Sequence, residues 1–243
     1  MVKTFEQTIK IPNYLVDRKN HLTIPAIPRL AIATSIFQSE ELDVGMEQLH
    51  QKGLGWVILQ YEIDVKRLAK TGESVVIHTS PNQRNEYFST RSFEFLDDNN
   101  NQLISIKSLW AMIDLKRRKL VKLNPEITDV YETPVVTKVD KLPSPNDINN
   151  VSFSTKHIVS YFETDTNKHA NNGSYFDWFF DGMPEEFLEN HSPKKIIVKY
   201  QKEVVFGDEL VINIEIKDNK TIHQIISNNV SRALAEIWWE EGK

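Results

Sequence analysis

A strand-like run, a glycine–acid turn and further strand-like runs occur in the first half of the chain and again, in the same order, in the second. A chain that repeats itself in this way is restricted to folds assembled from two copies of one unit. In the first half, residues 56–65 alternate, with Val57, Leu59, Tyr61, Ile63 and Val65 on one face, the period of a half-buried strand. The turn Lys70-Thr71-Gly72-Glu73 follows, and then the run 74–79. In the second half, residues 196–206 precede Gly207-Asp208-Glu209 and the run 210–214, the two turn glycines lying 135 positions apart. Two more strand-like runs complete each half, 86–96 with 103–115 and 221–227 with 232–239, divided by Asn-rich turns.

Each half also carries a helical segment ahead of its long strands. Leu30, Ala33 and Phe37 fall at helical spacing within 27–37, and Tyr175, Trp178 and Phe179 do so in the second half. Pro125, Pro134, Pro143 and Pro145 make residues 124–150 read as a linker. The expectation is an α+β protein with a helix packed on each curved sheet, one unit over 1–123 and the other over 151–243.

Composition then removes several functions. The chain has no cysteine, which forbids disulfides and thiolate metal sites and suits a cytoplasmic protein. No apolar run approaches the roughly 20 residues that span a bilayer, so no membrane partner is expected. Residues 1–10 alternate like a strand and lack the apolar core of a signal peptide. A net charge of −5 argues against nucleic acid, whose phosphates need a dominant basic surface.

One segment is poorly explained by packing alone. Residues 165–175 read Asp-Thr-Asn-Lys-His-Ala-Asn-Asn-Gly-Ser-Tyr, just ahead of the aromatic-rich helix. In an extended segment Asp165, Asn167 and His169 leave the same side of the backbone. His169 supplies an imidazole, the side chain that ordinarily exchanges protons near neutrality, and a carboxylate can orient it or act as a base. Asn171 and Asn172 suit helix caps, and the backbone of 170–173 would then offer N–H groups to a carbonyl oxygen. A calcium loop needs glycine where Ala170 stands, zinc needs more His or Cys, and no Gly-x-Ser-x-Gly occurs, so neither a metal nor a serine nucleophile is expected. Glu203 is the acidic residue of the run 196–206; alternation alone leaves it on a solvent face as readily as in a site.

This pattern resembles the active-site segment of the acyl-acyl-carrier-protein (acyl-ACP) thioesterases of plants and bacteria. Lys199-Tyr200-Gln201-Lys202-Glu203 is similar to the family's following strand, and residues 108–116, Ser-Leu-Trp-Ala-Met-Ile-Asp-Leu-Lys, to a strand of its first half. Val204 stands where some members carry cysteine, which excludes a thiol mechanism. The resemblance implies two tandem hot-dog units, each an antiparallel sheet around a central helix, the first holding the acyl chain and the second catalytic. It implies Asp165, Asn167, His169 and Glu203 as catalytic residues, with Asn171, Asn172 and Tyr175 binding substrate. The implied reaction is hydrolysis of fatty acyl-ACP, with acyl carrier protein as partner, no cofactor, and a homodimer left open. An acyl-coenzyme A thioesterase or a non-catalytic acyl-binding protein of the same fold are the alternatives. Asp17 to His21, in the first half, reads as a degenerate echo of the motif. Because the chain is itself acidic, docking an acidic carrier needs a local basic surface. The candidates are Lys116-Arg117-Arg118-Lys119 with Lys122, or Lys194, Lys195, Lys199 and Lys202.

Overall fold

The computed structural model describes residues 1–241. The chain divides into two compact units, one of residues 1–59 and 66–142, the other of residues 60–65 and 143–243.

The first unit holds β1 (Phe5–Lys10), α1 (Ala26–Glu41), α2 (Met46–Gln51), the start of β2 (Leu54–Val65), β3 (Ser74–Arg84), β4 (Phe88–Leu96), β5 (Gln102–Asp114), β6 (Lys119–Val121) and α3 (Pro125–Thr128). Its sheet runs β1-β3-β4-β5-β2, with β6 on β5. Pairing is antiparallel from β1 through β6, which lets short turns join successive strands. α1 packs on β1 and β3, and Ile27, Ile77, Phe93 and Phe95 are among its fully buried side chains. Burial of each such side chain contributes about 1.5–3 kcal/mol.

The second unit takes residues 60–65 of β2 and adds β7 (Phe153–Ile158), α4 (Asn172–Phe180), α5 (Glu185–Asn190), β8 (His191–Tyr200), β9 (Glu209–Lys217), β10 (Lys220–Ser227) and β11 (Val230–Glu241). Its order is β2-β8-β11-β10-β9-β7, antiparallel throughout. α4 packs on β9 and β10, and its Phe176, Trp178 and Phe179 are wholly buried. Within β2 the alternation expected from the sequence holds for Tyr61, Ile63 and Val65 but slips earlier, where Ile58 is buried and Val57 and Leu59 only half so. The slip falls at the point where the strand passes from one unit to the other.

The repeat is built in backbone bonds. Ile11 donates to Glu73 O (2.9 Å) and accepts from Gly72 N (2.8 Å); Val159 donates to Asp208 O (3.0 Å) and accepts from Gly207 N (2.9 Å). Both glycines sit at positive φ, 82° and 80°, where a side chain would be strained.

Two expectations need correction. Residues 124–142 are no linker but part of the first unit. Asn124 caps α3 by accepting from Glu126 N (2.9 Å), Pro125 occupies the first turn, and Ile127 and Tyr131 bury against Val44, Leu49 and Met112. The proline was a helix starter, not a breaker. Nor does α1 bury the face that its apolar residues suggest. Phe37 is 47% exposed, while Thr34, Ser35 and Gln38 are buried and hydrogen bonded. Gln38 gives its amide to Lys3 O (2.8 Å) and takes a bond from Arg91, so a polar network outweighs side-chain hydropathy on this face.

Candidate active site

Residues 165–168 form a tight turn, not an extended segment, so alternate spacing does not put Asp165, Asn167 and His169 on one side. The carboxylate of Asp165 accepts from Asn167 N (2.8 Å) and His169 N (3.4 Å), while Asp165 N donates to His169 O (2.8 Å) and Lys168 N to Asp165 O (2.9 Å). Lys168 closes the turn at φ 64°. Asp165 therefore shapes the loop: among the described residues its hydrogen bonds are all to backbone groups.

The loop then docks on the chain after β8. Ala170 N donates to Val204 O (2.8 Å) and His169 bridges Val205. Glu203 does not lie in the strand: β8 ends at Tyr200, and Gln201 N and Lys202 N both turn onto Arg232 O (2.8 and 3.1 Å). Arg232 Nη1 donates to Glu203 O (3.0 Å), and this holds the acid in place. The result is an imidazole–carboxylate pair, His169 Nε2 to Glu203 Oε2 at 3.2 Å. The imidazole is mostly covered, at 18% exposure, and the carboxylate is open at 43%. Such a pair can hold and pass a proton while keeping one oxygen toward solvent.

At the start of α4, Asn171 is a cap, its side chain accepting from Gly173 N (2.8 Å). Ala170 N goes to Val204 O, Asn171 N to Glu163 O (2.8 Å) and Ser174 N to Asn171 O (2.8 Å). Of the expected 170–173 donors, only Asn172 N–H lacks a bonded partner among the described residues. It points from a helix N-terminus, where a developing negative charge is favoured. Asn172 O accepts the Tyr200 hydroxyl (3.1 Å), whose ring meets that of Tyr175 edge to face at 5.0 Å. Burial pushes both phenols up, so both stay neutral; Glu203 adds to the rise at Tyr175, and Arg232 opposes it. Thus Tyr175 lies under the Glu203 segment as a buried wall.

One residue escaped the sequence reading. Glu163 accepts from Ser160 N (2.6 Å), Trp178 Nε1 (2.7 Å) and His157 Nε2 (2.9 Å), and its backbone carbonyl holds Asn171. Burial works to raise its pKa, but the bonds from His157, Ser160 and Trp178 outweigh it and bring the value down to about 2. Ser160-x-x-Glu163, a capping box, was the legible signal.

Tyr161 and Phe162, which precede Glu163, and Phe206, three residues after Glu203, are more than half exposed. Lys194 pairs with Glu240 (2.7 Å) and Lys195 with Glu62 (2.5 Å), whereas Lys199 and Lys202 have no carboxylate partner among the described residues. In the first unit Lys122 pairs with Glu86, and Asp114 takes the backbone N–H groups of Lys116 and Arg117 in a turn. Among the described residues no His, Cys, Asp and Glu group has the arrangement of a metal site.

Two family models match, the acyl-ACP thioesterase N-terminal domain over residues 2–131 and the C-terminal domain over 147–241. Among curated proteins, an oleoyl-acyl carrier protein thioesterase of Coriandrum sativum is 24% identical over 208 residues, 78% of this chain and 54% of its own. A palmitoyl-acyl carrier protein thioesterase of Cuphea hookeriana is 24% identical over 64% of this chain and 40% of its own. The chain thus spans about half the length of the curated relatives it matches. A solved structure from Lactobacillus plantarum, assigned provisionally as an oleoyl thioesterase, superposes with a TM-score of 0.96 at 29% identity, over 100% of this chain and 98% of that one. The 12:0-ACP thioesterase of Umbellularia californica superposes at 0.88 with 18% identity over 98% of each chain, a likeness of fold alone. The fold is two tandem hot-dog units.

Proposed function

Because the chain belongs to the acyl-ACP thioesterase family, we propose that it hydrolyses the thioester of a fatty acyl chain on acyl carrier protein, releasing free fatty acid and carrier thiol. The observation that carries this reading is the His169–Glu203 pair at 3.2 Å; three residues after His169, the N–H of Asn172 lacks a bonded partner among the described residues. A water polarised by the pair attacks the thioester carbonyl, its proton passing to Glu203 or His169 and then to the departing sulfur. Asn172 N–H, at the N-terminus of α4, receives the oxygen on which charge develops. Asn167 orients substrate or water, and Tyr175 and the Asn171 cap shape the floor beneath them. Asp165 contributes by fixing the turn. The first unit holds the acyl chain, the role its family counterpart has. Lys199 and Lys202 meet the acidic carrier.

A carboxylate attacking directly through an anhydride is the rival chemistry. A single turnover in oxygen-18 water separates the two, since only the anhydride route leaves label in the enzyme. Release of fatty acid from a panel of acyl-ACP and acyl-coenzyme A substrates tests the reaction itself. Turnover of the coenzyme A forms alone would sink the carrier-protein reading.

A further inference from the structure

The hairpin of β5 and β6, residues 114–122, carries Lys116, Arg117, Arg118, Lys119 and Lys122 against a single acid, Asp114, in a chain whose net charge is −5. All of these cations are exposed. Asp114 is committed to the turn. Its carboxylate accepts from Lys116 N (2.9 Å) and Arg117 N (2.7 Å), its carbonyl accepts from Arg118 N (2.8 Å), and Arg118 closes the turn at φ 56°. The strands below hold the register, with Ile113 opposite Leu120 and Asp114 opposite Lys119. The cations therefore stand on a fixed frame, not a loose tail, which lowers the ordering cost of any contact they make. Lys122 pairs with Glu86 and Arg117 Nε lies 3.9 Å from Asp114, but Lys116 and Lys119 form no ion pair among the described residues. Amid the cations, Leu120 is 52% exposed, and Tyr87, next to Glu86, is 39% exposed.

We propose that this hairpin docks the chain on an anionic phospholipid surface, its lysines and arginines against the lipid phosphates and Leu120 among the headgroups. A cluster of about four to eight such cations is what an anionic leaflet attracts. The exposed leucine favours lipid over nucleic acid, since a phosphate backbone gives it nothing to bury against, whereas the boundary between headgroups and acyl chains does. No helix among the described residues is long and apolar enough to cross a membrane, and docking on its surface needs none. The expectation of no membrane partner rested on spanning alone. The surface belongs to the first unit and stands independently of the hydrolysis proposed above.

Sedimentation of the full chain with vesicles tests it, using phosphatidylcholine alone and phosphatidylcholine mixed with phosphatidylglycerol, each at low and high salt. Binding to the mixed vesicles alone is expected, falling as salt screens the cations. Lys116→Glu with Lys119→Glu should lower the partition coefficient at least about tenfold, since each such cation is worth roughly fivefold at an anionic leaflet. Leu120→Ser should lower it by a smaller factor. These side chains are exposed, so melting should match the wild type; should the reversed variant melt lower, Lys116→Gln with Lys119→Gln replaces it and should also weaken binding. The proposal is overturned if the wild type binds both vesicles alike or neither, if the reversed variant binds as the wild type does, or if Lys199→Glu with Lys202→Glu weakens binding as much. It falls likewise if acyl carrier protein or a single-stranded oligonucleotide binds the wild type and loses that binding on the Lys116 and Lys119 reversal, which would give the hairpin to that partner.

Discussion

The turns Asp17 to His21 and Asp165 to His169, one in each unit, are the same piece of backbone. In both, the aspartate carboxylate accepts the N–H of the residue two on (2.9 and 2.8 Å) and that of the histidine (2.9 and 3.4 Å). In both the fourth residue sits at positive φ, Asn20 at 62° and Lys168 at 64°. The residue after the histidine docks in the same manner, Leu22 N on Ala69 O (2.7 Å) and Ala170 N on Val204 O (2.8 Å). What differs is the neighbour. Leu68 precedes Ala69 where Glu203 precedes Val204, and Leu15 holds Thr23 N where Glu163 holds Asn171 N. An aspartate that makes one turn in two places, only one of them beside an acid, is a framing residue. In the proposed mechanism the chemistry enters with the glutamate.

The comparison breaks first at activity. His169→Ala and Glu203→Gln should each lower kcat by at least about a hundredfold, the scale of an acid–base group, with melting within a few degrees of wild type. His21→Ala should leave kcat within about twofold, since no acid pairs with His21 among the described residues. Equal losses from His21 and His169 would mean that both turns carry chemistry or that neither does.

Charge reversal sharpens it next. Lys199→Glu with Lys202→Glu should raise KM for acyl-ACP several-fold, with a steeper salt dependence in the wild type, and should barely change hydrolysis of a small acyl thioester. The same reversal at Lys116 and Lys119, on the first unit, should leave KM unchanged. The reverse outcome would move the carrier's dock to the first unit.

Glu163 offers a pH test. Its folded value of about 2 lies below the ordinary 4.5, so its contribution to stability is full above about 4.5 and is lost as pH falls through 2. Glu163→Gln should therefore melt several degrees lower at neutral pH, with a gap that narrows as the solution is acidified below 4.5. A gap independent of pH would show that shape, not charge, matters there.

The smallest effect belongs to the aspartates. Asp17→Ala and Asp165→Ala should each cost about 1 kcal/mol, roughly 2–4 °C in a chain of this size. Asp165→Asn can make the same turn and should keep activity within about tenfold of wild type. Loss as deep as that of His169→Ala would return this carboxylate to the reaction.

The sequence carried the repeat and the strands, and the family resemblance singled out His169 and Glu203, because periodicity and a spaced motif survive in one dimension. That these two side chains pair was not legible, since the turn after β8 brings them together. The extended reading of 165–169 failed because local Asp-to-backbone bonds override alternation. The same bonds were legible in the four-residue interval from Asp17 to His21, read as a degenerate echo; that interval is the same as the one from Asp165 to His169. Pro125 misled because a proline opens a helix as readily as it ends one. The polar face of α1 was hidden because Arg91, which makes it worth burying, lies 53 residues from Gln38.

The Asp165 turn also behaves as a socket. Its frame is drawn from backbone groups and one carboxylate oxygen, and the side chains of Thr166 and Lys168 take no part in it. Thr166 is therefore free to change size or charge without refolding the loop, whereas Lys168, at φ 64°, takes only residues that tolerate the left-handed region. A duplicated chain can keep one socket blank and fit out the other, and an engineer can do the same. A library at Thr166, with Lys168 kept or exchanged for asparagine or glycine, would explore selectivity at little cost to the fold, since the loop's shape is underwritten elsewhere.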